Sequence, residues 1–132
     1  MRTTVLALAF SLAVASSSFA QQCLHGDDET SAQAARRREA LVAARVVNTL
    51  QANQPGAAQN RYLRHDELGR AASGVPPGIS LAPDTDIAAG WRLSLDVALA
   101  GYWFSIRDTT DPCGFSYISN AAGLIYSAEP IR

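Results

Sequence analysis

The sequence predicts an α+β domain in which one long N-terminal helix packs on an antiparallel β-meander of about four strands. Three observations lead to this prediction. The segment from Ser31 to Asn53 contains neither Gly nor Pro and repeats its apolar residues at helical spacing. Apolar and polar residues alternate from Trp91 onward, and turn residues divide the remaining C-terminal third into short extended runs. A helix on one face of such a sheet lets both elements bury their apolar sides.

The predicted helix starts after a short acidic segment and ends at a proline. Residues 27–30 (Asp-Asp-Glu-Thr) offer N-cap side chains and negative charge near the positive end of a helix. Gln54-Pro55-Gly56 ends it, because proline cannot continue the backbone hydrogen bonding. Spacings of three and four residues define one apolar stripe: Ala40, Ala43, Ala44, Val47 and Leu50.

The middle of the chain has no clear period. Within the ambiguous stretch 57–68, we interpret Tyr62 to Leu68 as a short turn or strand edge. Gly69 to Ala89 contains repeated Gly and Pro and is predicted to be a loop. A loop of this length is long for a compact domain, so we expect an excursion over the surface.

The C-terminal third predicts the sheet. Trp91 to Leu99 places Trp91, Leu93, Leu95, Val97 and Leu99 on one side, as in a half-buried strand. Tyr102 to Arg107 repeats the alternation after Ala100-Gly101 and gives a hairpin partner. Two shorter strands follow, Phe115 to Ser119 and Leu124 to Ser127, joined by a turn at 120–123, and Pro130 ends the last strand.

The first 20 residues have the features of a cleavable secretory signal peptide. One arginine precedes the apolar run Val5 to Val14, and the small residues Ser18 and Ala20 then form a cleavage site before Gln21. A retained membrane anchor is the alternative, but a spanning helix needs about 20 predominantly apolar residues, and serines interrupt this run too early. We therefore expect an exported chain, periplasmic or extracellular, whose mature part (21–132) is a single domain that does not span the membrane.

The two cysteines, Cys23 and Cys113, are predicted to form one disulfide in an oxidising compartment. The loop closed by this bond has about 90 residues and stabilises the fold by roughly 4 to 5 kcal/mol in the chain-entropy model. A redox-active pair is the alternative, but it favours a Cys-x-x-Cys spacing that the chain lacks.

The charge pattern gives no reason to expect a nucleic-acid or anionic-membrane partner. The formal net charge is −1, and Arg36-Arg37-Arg38 is the only cluster of basic residues in the sequence. Three consecutive residues fan over about 200° of a helix surface and cannot all face one partner. We interpret the cluster as a solvated helix end.

Two segments resemble type IV pilins and pseudopilins. Ala43-Ala44-Arg45-Val46-Val47-Asn48-Thr49-Leu50-Gln51-Ala52, followed by Arg61-Tyr62-Leu63, is similar to a helix in those proteins that continues to a tyrosine. Residues 113–116, 119–126 and Pro130 resemble the strands and small-residue turn that close their globular headpieces. The basic leader, Gly-Phe processing site and long apolar stalk of assembling pilins are missing. The resemblance thus implies a pilin-like headpiece without its polymerising stalk, and no filament assembly.

Candidate chemistry in the sequence is sparse. His65-Asp66-Glu67 could bind a metal together with His25, although the histidine spacing is not that of a known metal motif, and solvated loop residues are the simpler interpretation. Asp84-Thr85-Asp86 has alternate acidic oxygens but lacks the Gly and distal Glu of a calcium loop. No G-x-S-x-G turn or glycine-rich phosphate loop is present. We therefore expect no catalytic residue, cofactor or metal.

Aromatic residues suggest where the protein makes contacts. Trp91 falls on the core side of its strand, whereas Trp103 alternates with Tyr102 and Phe104 and is expected on an exposed sheet face. Trp103 and Tyr117 are the predicted contact surface. The expected function is a secreted, non-enzymatic module that binds a protein or carbohydrate. The alternative is a small periplasmic enzyme or enzyme inhibitor, which convergence of His25 with His65, Asp66 and Glu67 in a concave pocket would favour.

Overall fold

A computed structural model describes residues 22–129 of the chain. The predicted signal peptide and Pro130 lie outside these described residues. Helix α1 covers Ser31–Asn53, and its N-cap is Thr30, whose hydroxyl accepts from the Gln33 amide while the Gln33 side chain accepts from the Thr30 amide. This reciprocal capping box satisfies two amides that the first turn leaves unpaired. The predicted helix is therefore confirmed over its whole length.

The last turn of α1 contains a buried glutamine that holds the chain following the helix. Gln51 is fully buried, and its side chain bonds both backbone groups of Leu63, donating to the carbonyl at 2.7 Å and accepting from the amide at 2.8 Å. This pairing fixes the segment after Pro55, which includes a short 3-10 turn over Ala57–Gln59. A buried side-chain amide is tolerated here because its hydrogen-bonding groups have partners.

A second helix, α2, covers His65–Ala71, so the predicted turn or strand edge at Tyr62 to Leu68 is wrong. Glu67 accepts from the Arg64 amide at 2.8 Å and Arg70 donates to Asp66 at 3.0 Å. Acidic residues in the first turn and a basic residue in the last complement the helix dipole. Fully buried Leu68 anchors this short helix on the core.

The loop between α2 and the sheet begins at Ala72 and is not merely a surface excursion. Leu81 is 3 % exposed, Ile87 1 % and Ala88 4 %, and all three belong to the hydrophobic core. Backbone hydrogen bonds from Ser80 to Ile87 and from Ile87 to Trp91 hold this part of the loop beside the first strand. The prediction of a surface loop is therefore wrong for these three residues. Their burial is hard to see in the sequence because the surrounding Gly and Pro residues interrupt any repeating apolar pattern.

Four antiparallel strands follow: β1 (Trp91–Ala98), β2 (Gly101–Asp108), β3 (Ser116–Asn120) and β4 (Ile125–Ala128). Their order in the sheet is the order in the chain, which confirms the predicted meander and the α+β fold class. The strand boundaries differ from the predicted ones by at most one residue. One of these differences changes the core face, because Leu99 lies beyond β1 in the hairpin turn and is fully exposed.

The core lies between α1 and one face of the sheet. Ala40, Ala43, Ala44 and Val47 are fully buried, and Leu50 packs partly buried against them. The stripe approaches the sheet most closely over β3 rather than over β1. Small alanines allow this approach, and Asn48 donates to the hydroxyl of Ser119 at 2.9 Å. Larger side chains of β1 and β2, Trp91 and Phe104 among them, fill the remaining space.

The predicted disulfide is present. Cys23 and Cys113 are bonded, with their Cα atoms 5.3 Å apart and a sequence separation of 90. The bond fastens the segment before α1 to the turn between β2 and β3.

Candidate contact surface

The period of two divides the sheet into a face that packs on α1 and a face that points to solvent. On β2, Tyr102, Phe104 and Ile106 are buried, whereas Trp103 and Arg107, on the opposite side of the strand, are exposed. The register places Leu95 of β1 and Ser119 of β3 directly opposite Phe104. Side chains of the three strands therefore point to the same face at matching positions. We call the solvent side of this sheet the outer face.

The outer face carries large apolar side chains close together. Trp103 is 51 % exposed, Ile118 39 % and Tyr126 55 %. Ile118 is directly opposite Ser105 on one side and Tyr126 on the other, and Trp103 is two residues from Ser105. Adjacent strands are about 4.8 Å apart, so this outer strip (Trp103, Ile118 and Tyr126) crosses three strands over about 10 Å. Grouped exposed apolar residues of this kind mark contact sites.

Charged and polar side chains border the outer strip. Asp96 is opposite Trp103 in the register, and Arg92 is opposite Arg107. Arg92 also forms an ion pair with Asp86 at 2.9 Å, which restrains its side chain. An apolar centre with aromatic residues, surrounded by arginine and other polar groups, has the composition of a protein–protein contact patch.

Tyr117 does not belong to this surface, which corrects half of the predicted contact pair. It is only 5 % exposed, lies on the core side of β3, and packs edge-on against Phe115 at 5.3 Å and stacked against Trp91 at 6.3 Å. Burial raises the pKa of its phenol. Trp103 and Tyr117 therefore point to opposite faces of the sheet, since β3 pairs Tyr117 with the buried Ile106.

His25 lies in the interior, between two carboxylates. Its Nδ1 is 2.6 Å from Glu29 and its Nε2 is 2.8 Å from Asp108. The residue is 5 % exposed, and its ring packs on Phe115 at 4.8 Å between centroids. The sequence alone predicts a solvated loop at His25. The proximity to Cys23, which ties this segment to Cys113, was the one available signal that the position would be buried.

Two residues of the arginine cluster complete the same buried network. Arg37 donates two hydrogen bonds to Glu29, at 2.7 and 2.8 Å, and its guanidinium lies 5.9 Å from the centre of the Phe115 ring. Arg36 reaches Asp108 at 3.3 Å. The interpretation of a fully solvated helix end is therefore wrong for these two residues, whereas Arg38 is exposed.

The network lowers the pKa of both carboxyl groups. The hydrogen bonds from Arg37 bring the pKa of Glu29 from 4.5 to about 2, against the opposing effect of burial. Burial alone would raise the pKa of Asp108, but hydrogen bonds from His25 and Thr110 and the charge of Arg36 lower it. Both groups are therefore held ionised.

His65, Asp66 and Glu67 do not join His25. Asp66 is partnered by Arg70 and Arg64, Glu67 by Arg64, and both belong to α2, while the partners of His25 are Glu29 and Asp108. An open cleft of about 880 Å³ beside α2 is lined by Glu67, Arg61 and Arg64 among others, and His25 is not part of its lining. The convergence that would favour an enzyme is not observed. Within residues 22–129, no group of three or more His, Cys, Asp or Glu side chains could hold a metal ion.

The acidic pair in the long loop has a structural role. Asp86 pairs with Arg92 and accepts from the Gly90 amide at 3.1 Å. The Asp84 carbonyl accepts from Arg92 at 3.3 Å. These contacts brace the turn that leads into β1 and use the Asp86 oxygens that a calcium site would need.

Comparisons with protein-family models, with curated proteins and with solved structures find no match for this chain. Between residues 22 and 129, no helix has both the length and the apolar character needed to cross a bilayer.

Proposed function

We propose that the protein is an exported, non-enzymatic interaction module that binds a partner protein through the outer strip of its sheet. The observation that carries this proposal is the exposure of Trp103, Ile118 and Tyr126 side by side on one sheet face. Exposing three large apolar side chains costs solubility, and a binding partner that covers them explains their grouping.

A protein partner suits the strip better than a carbohydrate. Aromatic residues with arginines at the border are enriched in protein interfaces. The aliphatic Ile118 lies between the two aromatic side chains and interrupts any flat platform on which a sugar ring would stack. Asp96 and Arg107 supply charges of both signs at the border of the strip. A protein surface that has an apolar centre and a rim with charges of both signs would match them.

The architecture supports the likeness to a pilin headpiece. One long helix packed on a four-stranded antiparallel meander is the arrangement that the resemblance implies. The disulfide supports an oxidising compartment, in agreement with the signal peptide expected from the sequence. We infer a headpiece-like domain that acts outside the cytoplasm.

Site-specific photo-cross-linking in the producing cell tests this proposal. A photoreactive amino acid replaces Ser105, at the centre of the outer face, or Val42, an exposed apolar residue on α1 at the other side of the molecule. We expect a discrete protein adduct from position 105 and none of the same mass from position 42. Equal adducts from both positions, or an adduct to glycan from position 105, would refute a protein partner on the outer face.

A further inference from the structure

The segment before α1 is tethered at both ends. We call Cys23–Glu29 the N-terminal strap. Its first residue is bonded to Cys113, and its last immediately precedes Thr30, the N-cap of α1. Between these tethers, the Leu24 amide donates to Asp111 at 3.2 Å and the Glu29 amide donates to Gly26 at 3.2 Å. Movement of the strap would therefore be confined to the segment between these two tethers.

His25 fixes the centre of the strap, and its two contacts require two protons. Both ring nitrogens lie within hydrogen-bond distance of a carboxylate oxygen, at 2.6 Å for Glu29 and 2.8 Å for Asp108. Ionised carboxylates only accept, so each nitrogen must donate. Neutral imidazole has one donor, and only imidazolium satisfies both contacts.

Neither carboxylate is available to supply the missing proton. Glu29 already accepts two hydrogen bonds from Arg37. Asp108 directs its Oδ1 atom to the Thr110 amide and hydroxyl, the Asp111 amide and Arg36, which leaves Oδ2 for His25. Because donors already occupy the oxygens of both carboxylates, the contact geometry places the second proton on His25.

Charges around His25 balance only when it is protonated. Glu29 faces it from the strap and Asp108 from the end of β2, and Asp111 accepts from the neighbouring Leu24 amide. Arg36 and Arg37 approach from α1 and pair with the same carboxylates. Three carboxylates thus meet three cations, and Tyr117, which hydrogen-bonds Arg37, is neutral. Loss of the His25 proton leaves one uncompensated buried negative charge, which is unfavourable.

An aromatic cluster lies beneath the strap. The His25 ring is 4.8 Å from that of Phe115 and 5.6 Å from that of Trp91, and both aromatic residues are at most 1 % exposed. The Trp91 Nε1 group is buried with no hydrogen-bond partner among residues 22–129. Because the His25 ring packs on both aromatic rings, opening of the strap would expose part of this cluster to water, which costs free energy.

We propose that the N-terminal strap is a pH-sensitive latch, closed over Trp91 and Phe115 while His25 is imidazolium and opened when His25 loses its second proton. The sign follows from the contacts. Two contacts of the closed state require imidazolium, so closure is favoured in mild acid and weakened in base. The disulfide keeps the open strap attached. This device is independent of the outer face, which lies on the other side of the sheet.

Amide hydrogen exchange of the disulfide-bonded protein tests the latch. Protection factors, corrected for intrinsic exchange, are measured for Leu24 and Glu29 at about pH 5 and about pH 9. We expect both to fall about tenfold or more with rising pH, the size of a lost charge-assisted hydrogen bond. Amides inside α1, such as Val47, should keep their protection. Constant protection at Leu24 and Glu29 over this range would overturn the proposal.

Two variants and one spectroscopic signature sharpen the test. His25→Gln should give low protection of the strap at both pH values, and Asp108→Asn should reduce the pH dependence. His65→Gln changes the only other histidine in the sequence and should behave as the wild type. Nitrogen NMR of the His25 ring in the unmodified protein should show both nitrogens protonated at about pH 5. A neutral ring at that pH, or a pH response that disappears in His65→Gln, would contradict the latch whether or not the other variants fold.

Discussion

Nε2 of His25 lies 2.8 Å from Oδ2 of Asp108, although 83 residues separate the two in the chain. The disulfide between Cys23 and Cys113 and the bond from Leu24 to Asp111 join the same two regions. The start of the described chain is therefore fastened to the end of β2 and the turn after it by an ion pair, a disulfide and a backbone-to-carboxylate hydrogen bond. We expect these interactions to make stability depend on pH and on reduction.

Acid should weaken the fold partly through Glu29. The folded pKa of about 2 lies below the ordinary 4.5, so the stabilisation by this carboxylate is complete above about pH 4.5 and is lost as the pH falls toward 2. Glu29→Gln should therefore be less stable than the wild type at about pH 5, and the two should converge near pH 2. Urea unfolding midpoints at both pH values measure this.

Asp28→Asn is the matched control for Glu29. It removes the same charge from the adjacent, exposed position, so its midpoint should remain close to that of the wild type at about pH 5. If Glu29→Gln and the wild type lose stability in parallel on acidification, Glu29 does not contribute in the manner described.

The disulfide should account for a large share of the stability. Replacing both Cys23 and Cys113 by alanine should lower the free energy of unfolding by roughly 4 to 5 kcal/mol. A non-reduced digest analysed by mass spectrometry should contain the two peptides linked. Two thiols that react with an alkylating agent in the native protein would contradict the assignment.

Stability should depend on which face of β1 a side chain occupies. Leu93 is 5 % exposed, and Leu93→Ala should cost roughly 2 to 5 kcal/mol. The adjacent Ser94 points to the outer face, and Ser94→Ala should cost under about 0.5 kcal/mol. Leu95, which is only partly buried, should fall between them. Equal losses for Leu93→Ala and Ser94→Ala in urea melts would invalidate the assignment of faces.

Local patterns in the sequence identified the elements that have one apolar side. The alanine-rich stripe and the alternation from Trp91 each express a single repeating burial pattern, and α1 and the four strands follow them. The helix α2 was missed because it is short and has one buried apolar residue, Leu68, although its acidic first turn and Arg70 were visible signals. Two turns of helix produce too little periodicity to distinguish from a turn.

Long-range pairing could not be predicted from the sequence. Nothing near His25 indicates that Asp108 approaches it, and Arg36 and Arg37 resemble ordinary surface residues until Glu29 and Asp108 are placed beside them. For the contact surface, alternation correctly placed Trp103 on the exposed face. Tyr117 was misassigned because β3 begins with two buried residues, Ser116 and Tyr117, which hides its alternation.

Export should be visible at the N-terminus of the protein recovered from the producing cell. The apolar run Val5 to Val14 and the small residues Ser18 and Ala20 predict cleavage before Gln21. Edman sequencing or intact mass should show a chain that begins at Gln21 or within one or two residues of it. A membrane-embedded product that retains Met1 would contradict export by a cleaved signal.

Binding of the cross-linked partner by purified Trp103→Ala tests the central claim most directly. Val42→Ala is the control, since it truncates an apolar side chain that is 39 % exposed on α1, away from the outer face. Truncating an aromatic residue at the centre of an interface typically costs about 2 kcal/mol or more. We therefore predict that calorimetry gives a Kd about 30-fold or more weaker for Trp103→Ala and an unchanged Kd for Val42→Ala. A Trp103→Ala variant that remains folded and binds as tightly as the wild type would contradict the proposed function of the outer face.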